Sequence, residues 1–212
     1  VNIEKAGFAE YIEKLSQVCG FGIGSTEDAV KALLARIDYF AEHGCLCADH
    51  GLDYCMYAQP DMARADAAFA AAMKGGRPAK EDADAYKTLV TLACAKKYAE
   101  LGWVMQIHFG CLRDNNKPQF AKLGPDTGYD AVNSKSCVEN VAPLLNACLE
   151  NKGLPKTILY SLNPNDNTAL VTIAGCFQGG GVVGRMQHGS GWWFNDNRGG
   201  MRSQLTELAN NG

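Results

Sequence analysis

The chain has 212 residues, 47% hydrophobic and 20% charged, with a formal net charge of -3. That length supports one domain of ordinary size with a substantial core. The charge balance lacks the basic stripe of a general nucleic-acid binder, and no apolar run is long enough to span a bilayer.

Helical and strand-like segments alternate along the chain. Ser25 before Thr26-Glu27-Asp28 is an N-cap with acids in the first turn. Val30, Leu33, Leu34, Ile37 and Ala41 then repeat at helical spacing up to Gly44. Cys45-Leu46-Cys47-Ala48 reads as a short buried strand ending at Asp49-His50-Gly51. Helices are predicted over 61–74 and 81–101, the second burying Leu89, Val90, Ala93 and Leu101, with Gly102 after it. A strand over 103–109 leads into a long loop holding Pro118 and Gly124-Pro125-Asp126-Thr127-Gly128.

A helix then covers 138–151. Pro143 fits it only in the first turn, so it starts near Val141. A strand over 156–162, a helix over 165–177 and a strand near 183–188 follow. The last helix is amphipathic, with Met201, Leu205 and Leu208 on one face. Four strands separated by helices imply βαβ units and a parallel sheet covered on both faces. A full (β/α)8 barrel needs roughly 250 residues, so the expectation is about half of one. Val1 and the closing Asn210-Asn211-Gly212 agree with a piece of a longer protein, and no secretory signal pattern opens the chain.

There are nine cysteines, in odd number, irregularly spaced and mostly inside apolar runs. Free cysteine there behaves as a small hydrophobe. A reduced, cytoplasmic protein is expected, rather than a disulfide framework or zinc knuckle.

Each strand ends in a polar cluster. These are Asp49-His50-Gly51-Leu52-Asp53; His108 with Arg113, Asn115 and Asn116; Asn163 with Asn165-Asp166-Asn167; and His188 with Ser190, Trp192, Asn195 and Asp196. Parallel strands would bring all four to one rim, where α/β enzymes bind substrate. Taken singly each has a plainer reading. Asp49 can turn the loop before glycine. Asn163-Pro164 can cap a helix. Trp192 can pack a core. Arg113 can be a surface charge, although a guanidinium beside a pocket suits carboxylate recognition. No HxH or HExxH occurs, so these residues alone make no complete metal site.

The block Gly102-Trp103-Val104-Met105-Gln106-Ile107-His108 with Arg113-Asp114-Asn115-Asn116 resembles uronate isomerase, a family of the amidohydrolase superfamily. Asp49-His50-Gly51, Leu123 to Gly128, Leu154 to Tyr160 with Leu162-Asn163-Pro164, and Gly189 to Asp196 agree in the same order. The resemblance covers nearly the whole chain. It implies a metal-dependent (β/α)8 barrel, of which residues 1–212 would be one truncated portion, strands 4 to 7 of the parent. The family's His-x-His pair would lie upstream of Val1 and its strand-eight Asp beyond Gly212. Residues 1–212 alone are therefore expected to lack isomerase activity.

The implied reaction interconverts D-glucuronate with D-fructuronate and D-galacturonate with D-tagaturonate, through an enediol. The implied cofactor is a divalent metal, zinc, and the implied partners are a small sugar acid and further copies of the chain. His108 and Asp49 are the implied catalytic residues, His108 also at the metal, with Arg113 and Trp192 holding the sugar acid. His188 receives no role. A hydrolase of the same superfamily, or a non-catalytic α/β module, would share part of this pattern.

Overall fold

The structure, a computed structural model, describes residues 2–211. The elements among these residues are, in chain order, α1 (Phe8–Cys19), α2 (Thr26–Glu42), β1 (Cys47–Gly51), α3 (Met62–Met73), α4 (Lys80–Leu101), β2 (Val104–Phe109) and β3 (Cys111–Leu112). Then come α5 (Lys117–Leu123), β4 (Ala131–Val132), α6 (Val141–Glu150), β5 (Lys156–Ser161), α7 (Asn167–Cys176), β6 (Met186–His188) and α8 (Arg198–Asn211). No helix among them is long and apolar enough to cross a membrane. The chain divides into two compact units. One gathers residues up to 46 with 56–103 and 146–155; the other gathers 47–55, 104–145 and 156 onward.

The first unit is helical. Ser25 caps α2, its hydroxyl accepting the Asp28 N–H at 3.1 Å, and Asp61 caps α3 by accepting the Arg64 N–H at 3.1 Å. Each cap satisfies an N–H that the first turn would otherwise leave orphaned. Helix α1 carries no start signal of that kind, because Gly7 precedes it without a side-chain cap. Its evidence in the sequence is the spacing of Phe8, Ile12 and Leu15, all buried. Phe8 meets both Phe69 and Tyr86 edge-on, with ring centroids 5.9 Å apart in each pair. Helix α4 departs from the expected one-sided burial. Residues 83–88 are buried without interruption, Lys87 through an ion pair with Glu4, whereas Leu101 is exposed.

The second unit holds a parallel sheet of four strands among the described residues, in the order β1-β2-β5-β6. This is the α/β architecture expected from the alternation of strands and helices. Met105, Ile107 and Phe109 of β2, Thr157, Leu159 and Ser161 of β5, and Met186 and His188 of β6 are buried on one face. Helix α7 packs there against β5 and β6 and against α8. Period-two alternation places Asp49, Gln106, His108, Tyr160 and Gln187 on the opposite face.

Three expectations are corrected. The first strand starts at Cys47, not Cys45, and as an edge strand it is alternately exposed rather than buried. The Cys45 N–H is still bonded to the Phe40 carbonyl at 3.0 Å, so the helix end holds that residue out of the ladder. The predicted apolar face of the last helix points outward: Met201 and Leu205 are exposed, and the buried residue of α8 is Gln204. The long loop after β2 is structured. Cys111 and Leu112 pair antiparallel with Val132 and Ala131, and α5 lies between them, capped by Asn116. Two-residue strands and a helix with no buried residue leave no period to read.

Gly153 follows α6 where a Cβ would stand 2.5 Å from the Lys96 Cα of α4, while one on Gly175 of α7 would meet nothing within 4 Å. Gly153→Ala is expected to lower stability by about 1–3 kcal/mol, as overpacking does. Gly175→Ala is expected to hold it or raise it by up to about 0.5–1 kcal/mol. Urea unfolding of the two variants checks the contrast, and equal midpoints would contradict it.

Candidate functional site

His108 is the centre of the open sheet face. Its Nδ1 lies 2.6 Å from Asp49 Oδ1 across the β1–β2 pair. The carboxylate can only accept, so Nδ1 carries a proton and donates; in the neutral imidazole the lone pair is then on Nε2. The imidazole is 15% exposed and the Asp49 side chain 58%. The backbone closes the same corner, for the Leu52 N–H bonds to the His108 carbonyl at 2.7 Å.

Aromatic rings hold the imidazole on two further sides. Tyr160 of β5 stacks on it, with centroids 3.9 Å apart and planes 16° apart. Trp192 meets it edge-to-face at 4.6 Å and 76°. The Tyr160 hydroxyl donates to Gln106 Oε1 at 3.0 Å. Burial pushes its pKa above the ordinary phenol value, and the Asp49 charge adds to that, so it stays a donor. The Trp192 indole N–H is buried and has no acceptor among the described residues.

Arg113 joins this group indirectly. Its Nη1 donates to Asp126 Oδ1 at 2.8 Å and to Asp130 Oδ2 at 3.1 Å. Asp130, nearly buried, also accepts the Asp114 N–H at 2.8 Å. The guanidinium lies 4.9 Å from the centroid of the Trp193 ring, and Trp193 is 5.7 Å from Trp192. Asp114, Asp126 and Trp193 adopt left-handed backbone with φ of 54°, 59° and 49°. Such strain gathers where surrounding contacts over-determine a loop.

The structure thus brings Asp49, His108 and Trp192 together and links Arg113 to them through Trp193. The remaining polar clusters do not converge on the same point. His50 and His188 alternate to the covered face. Asn163 forms a turn, its side chain accepting the Asn165 N–H at 3.2 Å. Asp166 accepts from Ser161 at 2.6 Å and from Ser136 at 2.9 Å. Gln106 and Tyr160 were not singled out from the sequence. A polar residue two before His108 in an apolar strand was a readable signal for Gln106, whereas Tyr160 requires the strand register.

Among the described residues no group of three or more His, Cys, Asp or Glu could share a metal ion. The Asp49–His108 pair nevertheless fits part of such a site. Metal-bound histidine commonly donates its second ring nitrogen to a carboxylate, which is what Nδ1 does here. It leaves one ligand atom, Nε2.

Comparison with known proteins covers the same chain from end to end. The profile of the glucuronate isomerase family matches residues 1–212. A uronate isomerase of Edwardsiella ictaluri is 47% identical over 208 residues, 98% of this chain and 44% of that protein. Among solved structures, uronate isomerase from Thermotoga maritima superposes with a TM-score of 0.88 at 32% identity, over 99% of this chain and 45% of its own. Glucuronate isomerase from Caulobacter crescentus gives 0.84 at 25% identity, over 100% and 43%. The chain therefore spans less than half the length of the relatives it matches.

His188 carries a pH dependence separate from the open face. Its ring nitrogens are buried without partners among the described residues. Burial pushes its pKa below the ordinary 6.5, with the Glu207 charge opposing. The unfolded chain therefore takes up a proton that the folded chain resists. Stability present above that ordinary value is lost as pH falls through the depressed folded one. Each unit of depression corresponds to about 1.4 kcal/mol. His188→Phe is expected to flatten the fall in urea midpoint between about pH 7 and pH 5.5, the range in which histidine gains its charge. An unchanged slope would contradict this.

Proposed function

The chain belongs to the glucuronate isomerase family, and from that premise we propose that the protein interconverts D-glucuronate with D-fructuronate and D-galacturonate with D-tagaturonate. The observation that carries the reading is the Asp49–His108 pair at the C-terminal ends of adjacent parallel strands, the end at which α/β enzymes bind substrate.

The aldose-to-ketose reaction removes the C2 proton, and the electron pair of that C–H bond becomes the C1–C2 double bond of an enediol. Return of a proton to C1, with formation of the C2 carbonyl, completes it. The site must therefore hold a proton and stabilise negative charge on oxygen. Asp49 Oδ1 accepts from His108 and fixes the imidazole's tautomer. The other carboxylate oxygen, on a side chain 58% exposed, is available to take and return a proton.

A divalent metal, zinc in this reading, would be held here by His108 Nε2 together with residues outside this chain, and would supply Lewis-acid polarisation of sugar oxygens. Trp192 gives a flat apolar wall for the sugar ring beside His108. Arg113 has committed Nη1 to two aspartates, leaving its other guanidinium donors for the sugar carboxylate. The nine cysteines, odd in number, irregularly spaced and mostly inside apolar runs, support a reducing, cytoplasmic setting. Assembly into a homo-oligomer belongs to the same proposal.

The full-length protein supplied with zinc is expected to form ketose from D-glucuronate or D-galacturonate. Asp49→Asn keeps the shape but removes the carboxylate that takes the proton and weakens the hold on His108, and is expected to lower kcat/KM by about 100-fold or more. A ketose assay checks both. Absence of turnover with either uronate would overturn the isomerase reading.

A further inference from the structure

The glycine after β6 has a role that neither catalysis nor metal binding accounts for. Gly189 continues β6 beside Tyr160 of β5, its N–H bonded to the Leu159 carbonyl at 2.8 Å. A Cβ built on it would lie 2.0 Å from Tyr160 Cδ1, 2.1 Å from Cε1 and 2.6 Å from Cγ. No side chain fits in that space, and the crowding comes from the body of the ring, not from a flexible tip. On its other side the Tyr160 ring stacks on His108 at 3.9 Å. The phenol stands between a bare Cα on β6 and the imidazole on β2. Its hydroxyl is tied to Gln106 Oε1 at 3.0 Å, so the ring is fixed at its far end as well.

We propose that Gly189 and Tyr160 are positioning residues for His108: the missing side chain at 189 sets where the Tyr160 ring stands, and that ring sets the plane of the imidazole against Asp49. The effect on catalysis rests on the isomerase reading, whereas the contact of Gly189 with Tyr160 and of Tyr160 with His108 does not. His108 has one hydrogen bond to Asp49, a single contact about which the ring could still rotate. Trp192 meets it only edge-to-face. The broad contact that removes the rotation is Tyr160. In this reading the first glycine of the Gly189-Ser190-Gly191-Trp192 segment makes room for a ring on the neighbouring strand. Displacement of a catalytic group by about 1 Å can cost on the order of 100-fold in rate, so a small shift of this stack is enough to register.

The test uses the full-length protein with Tyr160→Phe, Tyr160→Leu, Gly189→Ala and the double variant Gly189→Ala/Tyr160→Leu. Two readouts are taken: kcat and KM on D-glucuronate, and, after the metal is removed with a chelator, the side-chain nitrogen NMR signals of His108. Tyr160→Phe keeps the ring but loses its tie to Gln106, and is expected to lower kcat clearly less than Tyr160→Leu does. Tyr160→Leu and Gly189→Ala are each expected to lower kcat about 10–100-fold with KM nearly unchanged, and to replace the single Nδ1–H tautomer of His108 by a mixture. Once the ring is gone, alanine at 189 has nothing to push, so the double variant is expected to match Tyr160→Leu instead of adding the two losses.

Additive losses in the double variant would overturn the proposal. So would a folded Tyr160→Leu protein with parental kcat and an unaltered His108 spectrum. If the parent protein shows no turnover, the isomerase reading fails by itself. The NMR comparison then decides the positioning claim: a tautomer mixture supports it, and an unchanged spectrum ends it.

Discussion

Side chains alternate direction along each β-strand, so a slip of one position in the pairing would turn every open-face group into the helix-covered layer. The ladder that sets Gly51 beside His108 and His108 beside Tyr160 is therefore the constraint on which the candidate site depends. It puts Asp49, Gln106, His108 and Tyr160 on one face, while Met105, Ile107, Phe109 and Leu159 go to the other. Burial of that second set locks the register, because exposing those side chains would cost roughly 1.5–3 kcal/mol each. The apolar layer thus holds the polar one in place.

Once the register is set, the chemistry of His108 follows from its neighbours. A carboxylate at Nδ1 fixes the tautomer, a stacked phenol fixes the plane, and an indole edge closes a third side. One nitrogen remains to act. Around this, Asp126, Asp130 and Trp193 hold Arg113 on a loop with left-handed, strained positions. The Arg113 ion pairs and the left-handed backbone of Asp114, Asp126 and Trp193 fall in the loops beyond the strand ends, while the covered side of the sheet carries apolar packing and the His188 nitrogens that lack partners among the described residues.

Much of this was legible in the sequence wherever a periodic signal met a clear punctuation mark. Ser25 and Asp61 mark helix starts by their caps, and Gly102 ends α4 in the left-handed region with φ 71°. The apolar run into His108 marked β2 as buried and its last polar residue as a site candidate. Legibility failed where tertiary context overrules local pattern. Helix α4 is buried on nearly every side along residues 83–95, where the spacing of Leu89, Val90 and Ala93 points to a single buried face. Tyr160 joins the site through a pairing 52 residues distant in sequence, which no local period contains. His188 ends β6 and His108 is the last residue but one of β2, and the two face opposite sides of the sheet. Only the register separates the two.

The most direct test of the central claim, that the open face around Asp49 and His108 is where a sugar acid binds, is a crystal structure of the full-length protein soaked with D-glucuronate. The sugar is expected on that face, in contact with His108 and Trp192 and with its carboxylate toward Arg113. A sugar bound on the covered side of the sheet, or ordered elsewhere with the Asp49–His108 face empty, would contradict it.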